Sequence, residues 1–119
     1  KAAHIMSVAF EGIGQVGATF LGRGLTEGHV VRMAGRAEAG ACGDGDPFCG
    51  VALCCKEDAC TVQVGGFVTV GYSGDMPEPG TASLCANGEG GVRAAGESAG
   101  RACLVVDADA AAKTVTILL

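Results

Sequence analysis

Residues 59–74 read ACTVQVGGFVTVGYSG, from Ala59 to Gly74. Every second residue, Cys60, Val62, Val64, Gly66, Val68, Val70 and Tyr72, falls in one apolar row. Thr61, Gln63, Gly65, Thr69 and Ser73 fall on the other side, which is the period of a half-buried strand. The adjacent Gly65-Gly66 also suits a type I′ hairpin turn. A hairpin there, however, sets Gln63 beside Val68 and Val62 beside Thr69, mixing the two faces. One long strand bent at the glycines keeps the apolar row whole, as strands do at the corners of small barrels. The bent strand is the favoured reading.

The composition agrees with a chain of short strands and tight turns. The hydrophobic fraction of 49% comes from Ala, Val and Cys, with 4% aromatic residues and 21 glycines among 119 residues. A chain of this length buries roughly 60–70% of the surface it exposes when unfolded, enough for one domain without staples. Eight basic against 13 acidic residues give a net charge of −5. With no Lys or Arg cluster, nucleic acid is not an expected partner, since phosphate binding needs concentrated positive charge. No apolar run reaches membrane-spanning length, and the N-terminus shows no secretory n-region or h-region. The chain therefore reads as soluble and intracellular.

Working outward from the central stretch, Phe48–Cys55 is a near-continuous apolar run and reads as a buried strand. Lys56-Glu57-Asp58 is the turn between it and the central strand. Thr81–Ala86 and Val92–Ala95 read as a hairpin around the turn-rich Asn87-Gly88-Glu89-Gly90-Gly91. Arg101–Asp107 is a further strand, 107–113 at most one helical turn, and Thr114–Leu119 a final strand with Val115, Ile117 and Leu119 on one face. On the N-terminal side, His29–Met33 is the first firm strand and His4–Phe10 a weaker candidate.

Gly12-Ile13-Gly14-Gln15-Val16-Gly17 matches G-x-G-x-x-G, and the stretch through Arg36 resembles the opening β-α-β of a Rossmann dehydrogenase. In that alternative Gly12, Gly14 and Gly17 admit a pyrophosphate at a helix N-terminus, and Arg36 meets the 2′-phosphate of NADP. Against it, Gly22 and Gly24 each cost about 1 kcal/mol inside the required helix. Nothing after Arg36 has the 3.6-residue apolar period of a crossover helix able to cover a parallel sheet. The preferred reading makes residues 1–28 an irregular or partly stranded N-terminal arm that packs on a neighbouring subunit, and 29–119 the β-rich domain. On that division a chain lacking residues 1–24 still folds.

No nucleophile is paired with a base. Ser73 lies in YSGD rather than a nucleophile elbow, and Asp107 and Asp109 read as solvated turn residues. Asp44 and Asp46 lack the closing Glu of a calcium loop. The seven cysteines, at 42, 49, 54, 55, 60, 85 and 103, include no C-x-x-C pair. They read mainly as small buried hydrophobes in a reducing compartment. No catalytic residue, metal or cofactor is assigned.

Four blocks in order carry a family resemblance. They are Gly45-Asp46-Pro47-Phe48-Cys49-Gly50-Val51; Val62-Gln63-Val64-Gly65-Gly66-Phe67-Val68-Thr69-Val70; Pro79-Gly80 with Leu84 and Gly90-Gly91-Val92; and Val105-Val106-Asp107. Together they run from Gly45 to Asp107, about half of the chain, and resemble the small capsid decoration, or cement, proteins of tailed bacteriophages and prophages. The resemblance implies a small all-β single domain of β-barrel or β-clip type, often trimeric. It also implies the major capsid protein as partner, and a place on the virion surface after assembly in the bacterial cytoplasm. The function it implies is non-catalytic head stabilisation. A β-barrel adaptor that docks other proteins is the third alternative.

Overall fold

The computed structural model describes residue 10 and residues 12–119. Among them are ten strands and no helix: β1 Val16–Leu21, β2 Val30–Gly35, β3 Glu38–Ala41, β4 Gly50–Lys56, β5 Ala59–Gly65, β6 Phe67–Gly71, β7 Gly80–Ala86, β8 Val92–Ala94, β9 Arg101–Asp109 and β10 Thr114–Leu118. The first five close into a barrel in the order β1-β3-β2-β4-β5, and the rest form a sheet in the order β6-β10-β9-β7-β8. The all-β expectation holds.

The central stretch is what joins the two halves. β5 pairs with β1 and β4 in the barrel, β6 pairs with β10 in the second sheet, and they do not pair with each other. The chain bends at Gly66, whose φ of +88° favours glycine. The even-numbered row from Cys60 through Val62, Val68 and Val70 to Tyr72 is buried on both sides of the bend. A hairpin would have placed half of that row in solvent.

Two apolar clusters follow from this division. Val31, Ala39, Ala52, Cys60 and Val62 fill the barrel, with Phe20 against them. Val68, Val70, Tyr72, Leu84, Val92, Val105, Val115 and Ile117 line the second sheet, where Val30, Phe48 and Val51 from the barrel side join them. β2 thus buries consecutive residues in different clusters, Val30 in one and Val31 in the other, which is how its alternation ties the halves together.

The hairpin turns fall where the sequence places them, at Lys56–Asp58 and at Asn87–Gly91. Residues 110–113 form a turn rather than a helix, with β9 continuing to Asp109. Asp109 Oδ1 accepts from the amides of Ala111 and Ala112 at 2.9 and 3.1 Å.

The N-terminal division needs correction. β1 lies within the stretch read as an arm, yet it pairs along its whole length with β5, and Phe20 enters the barrel core. The β-rich domain therefore begins at Val16, not at residue 29. The candidate strand at His4–Phe10 lies outside the described residues except for Phe10, whose ring centroid is 5.3 Å from that of Phe67.

Candidate assembly surface

The structure gives the glycines of the dinucleotide fingerprint a different use. Gly12 and Gly14 have φ of +86° and +70° and lie in the turn before β1. That turn is docked on the sheet switch. The Phe67 N–H donates to Ile13 O at 3.0 Å, and a Cβ on Gly66 would lie 2.6 Å from the Gln15 nitrogen. Gly17 is inside β1, so the segment after the fingerprint is a strand, and it presents no helix N-terminus to a pyrophosphate. Arg36 occupies the β2–β3 turn beside Leu21, which donates to Ala37 O at 2.7 Å. It therefore sits at the far end of β1 from the Gly12–Gly14 turn, with the strand's own length, roughly 17 Å from Val16 to Leu21 by strand rise, between them. The four residues of the alternative site are not brought together.

The acidic candidates serve the scaffold. Asp44 Oδ1 accepts from Arg93 Nε at 2.8 Å, and Asp46 Oδ2 accepts from the Gly43 amide at 2.9 Å while lying 3.6 Å from Arg32 Nε. Together with Arg101, which donates to Cys49 O at 2.9 Å, these contacts hold the Cys42–Cys49 loop against the sheet. Among the described residues no three His, Cys, Asp or Glu side chains converge as a metal site would require.

The cysteine reading is corrected at three positions. Cys55 and Cys60 form a disulfide across the β4–β5 hairpin, with Cα atoms 4.0 Å apart. They are directly opposite in register at a pair whose backbone groups point away from each other, where antiparallel strands approach most closely. Cys54 is exposed, whereas Cys85 and Cys103 are buried as expected. Cys42 lines a pocket of about 250 Å³ with Leu25, His29, Val31 and Glu89. Burial first, and the nearby Asp46 charge second, push its thiol up to about 11. Such a thiol is protonated at neutral pH, the opposite of an activated nucleophile.

The feature that stands out is a surface rather than a cleft. On the outer face of the second sheet the register aligns Phe67 with Leu118, Leu118 with Leu104, and Leu104 with Thr81. This makes one apolar row across three strands, closed by Thr81 on the fourth. Leu104 is 41% exposed. Beside the row, Thr69 and Thr116 are paired at 2.8 Å between hydroxyls. Charge enters at both ends of the face, at Asp107 and Asp109, which oppose Thr116 and Thr114, and at Arg93 on β8, which opposes Cys85 and pairs with Asp44. Phe67 and Leu118 are half-buried, Phe67 beside the Phe10 ring, so Leu104 is the most accessible apolar side chain of the row, and grouped apolar surface side chains of this kind mark interaction sites. The sequence hid it because Phe67, Leu104 and Leu118 come from three distant segments, and only the register aligns them.

Among known proteins, no family model matches the chain and no curated protein matches it significantly.

Proposed function

We propose that this protein is a non-catalytic structural component of a tailed phage or prophage that decorates and stabilises the head by binding the major capsid protein from outside. The observation that carries the proposal is the uncharged outer row Phe67–Leu118–Leu104. A cement protein needs a rigid platform with a flat docking face more than it needs a cleft. The barrel and second sheet supply the platform, and the apolar row with its flanking threonines supplies the face. The ordered blocks from Gly45 to Asp107 that resemble decoration proteins support the same reading. So does the all-β architecture, which that resemblance implies. Such proteins act multivalently, since an oligomer bridging several capsid subunits gains avidity beyond one contact. The resemblance favours a trimer.

Co-sedimentation with expanded tailed-phage heads lacking their own decoration protein tests the proposal. The expected result is saturable binding to expanded heads that falls at least tenfold in Leu104→Lys and Leu118→Glu, both of which remain folded. Binding unaffected by both substitutions would remove the sheet face from the account. No binding to heads, together with capture of a different protein through the same face, would favour the adaptor reading.

A further inference from the structure

We infer that the edge of β1 turned away from β5, which beyond its one register pair with β3 faces no strand among the described residues, is a self-association site, at which two copies of this chain pair β1 to β1 about a two-fold axis through Ala18. The inference goes beyond the capsid reading, and its test uses no capsid.

The hydrogen-bond phase of β1 fixes which of its backbone groups face outward. Gly22 donates to Asp58 O at 2.9 Å, and the β1–β5 register continues from there through Phe20↔Cys60 and Ala18↔Val62. In an antiparallel ladder alternate residues bond the neighbour. Ala18, Phe20 and Gly22 therefore bond towards β5, while Gly17, Thr19 and Leu21 turn their N–H and C=O groups the other way. Leu21 finds a partner there, donating to Ala37 O at 2.7 Å. The parallel contact with β3 consists of the single register pair Leu21↔Glu38. From Val16 to Thr19 the edge faces no strand among the described residues, and all four residues are exposed.

This edge also lacks what usually protects one. Exposed strand edges are commonly blocked by charge or proline, yet Val16-Gly17-Ala18-Thr19-Phe20-Leu21 contains neither. Val16 and Leu21 at its two ends are 56% and 57% exposed.

A second copy of the same edge is the occupant it matches. With the axis at Ala18, Gly17 of one copy lies opposite the second copy's Thr19, and the reverse. Both residues have outward N–H and C=O groups, so the two pairs exchange four hydrogen bonds and leave none of these groups unmatched. A one-residue shift would oppose outward groups with groups already bonded to β5. Charge permits the same choice: two molecules of net charge −5 repel over most of their surfaces, but this edge brings no acidic residue against another. A contact of two six-residue strands, each roughly 20 Å long, falls below the ~1,200 Å² of a stable standard interface. The association is therefore weak and concentration-dependent. It at least doubles the mass of whatever assembly the protein otherwise forms, since each copy presents one such edge.

The test is sedimentation velocity on the full chain in a Cys54→Ser background, which removes covalent dimers through the exposed thiol. Concentration is raised from about 10 μM to about 1 mM, the range in which so small a contact associates. Amide hydrogen exchange is followed at both ends of that range. The expected result is a mass that at least doubles reversibly, with exchange slowing at Gly17 and Thr19 but unchanged at Ala18 and Phe20. Thr19→Pro removes an outward N–H without touching the β5 ladder, and Thr19→Lys places a charge on the edge. Each weakens association at least tenfold. If Thr19→Pro does not fold, Thr19→Lys and the exchange pattern decide. Constant mass up to 1 mM would overturn the inference. So would doubling that persists in a folded Thr19→Lys variant, or doubling without slower exchange at Gly17 and Thr19.

Discussion

Gln63 holds Phe67 across the bend: its Nε2 donates to Phe67 O at 3.0 Å and to Gly65 O at 2.9 Å, so one side chain brackets Gly66. At 2% exposure it is a polar residue buried among apolar neighbours. A strand leaving one sheet for another gives up ladder bonds at the crossing point, and this amide replaces them. Gln63→Leu removes both donors while keeping the volume. The expected destabilisation is about 1–3 kcal/mol, the usual cost of a buried carbonyl left unpaired, read as a lower urea midpoint with an unchanged slope. Stability equal to wild type would mean the bend is held without Gln63.

The glycines should rank by contact rather than by motif. A Cβ on Gly66 would overlap the Gly14 backbone, lying 2.5 Å from its carbonyl carbon, and φ there is +88°. A Cβ on Gly12 meets none of the described residues within 4 Å, although φ is +86°. Gly12→Ala is therefore expected to cost about 1–2 kcal/mol, the conformational term alone. Gly66→Ala should cost clearly more, because the docked turn must move as well. Thermal melts of the two variants check the order, and a Gly12→Ala effect as large as that of Gly66→Ala would contradict it.

Truncation separates the arm from the barrel. Removing residues 1–9 leaves every described strand in place and should preserve the β circular-dichroism signal and the melting transition. Removing residues 1–24 takes away β1, exposes the β5 edge and withdraws Phe20 from the barrel core. Loss of cooperative melting, or exposure of a dye-binding apolar surface, is the expected outcome. A sharp wild-type-like transition in the longer truncation would show that the barrel closes without β1.

These cases show which parts of the molecule the sequence could reveal. The bent strand was legible because alternation from Cys60 to Tyr72 runs unbroken through the glycines, and a hairpin would have scrambled it. The local hairpins at Lys56–Asp58 and Asn87–Gly91 were legible from turn chemistry. β1 was not: its glycines and short apolar spacing resemble an irregular segment, and what makes it a strand is pairing with β5 some forty residues later. Gly12 and Gly14 illustrate the same limit. A glycine needed for positive φ beside a second backbone leaves the same letter in the sequence as one needed beside a phosphate. The apolar row on the second sheet depends on the registers of three strands, including the irregularity between Thr116 and Ile117 in the β9–β10 pairing. No local pattern encodes that alignment.

Cysteine chemistry offers a test of the packing at several points at once. Cys54 is exposed, Cys85 and Cys103 are buried, and Cys55 and Cys60 are bonded to each other. Without reductant at pH 8, a maleimide or iodoacetamide should label Cys54 first. Cys42 should lag, because burial and Asp46 raise its thiol to about 11, leaving roughly one part in a thousand as thiolate. Burial likewise raises Cys49 and Cys103. The sign for stability follows from the same shift. The folded state holds Cys42 protonated more firmly than the unfolded chain does, so its contribution is fully present below pH 9 and is lost as pH rises from 9 to about 11. The melting temperature should therefore fall over that interval less steeply in Cys42→Ser than in wild type. Rapid labelling of Cys42 at pH 8, or identical alkaline slopes for the two proteins, would place that thiol in a more solvated setting than the one described.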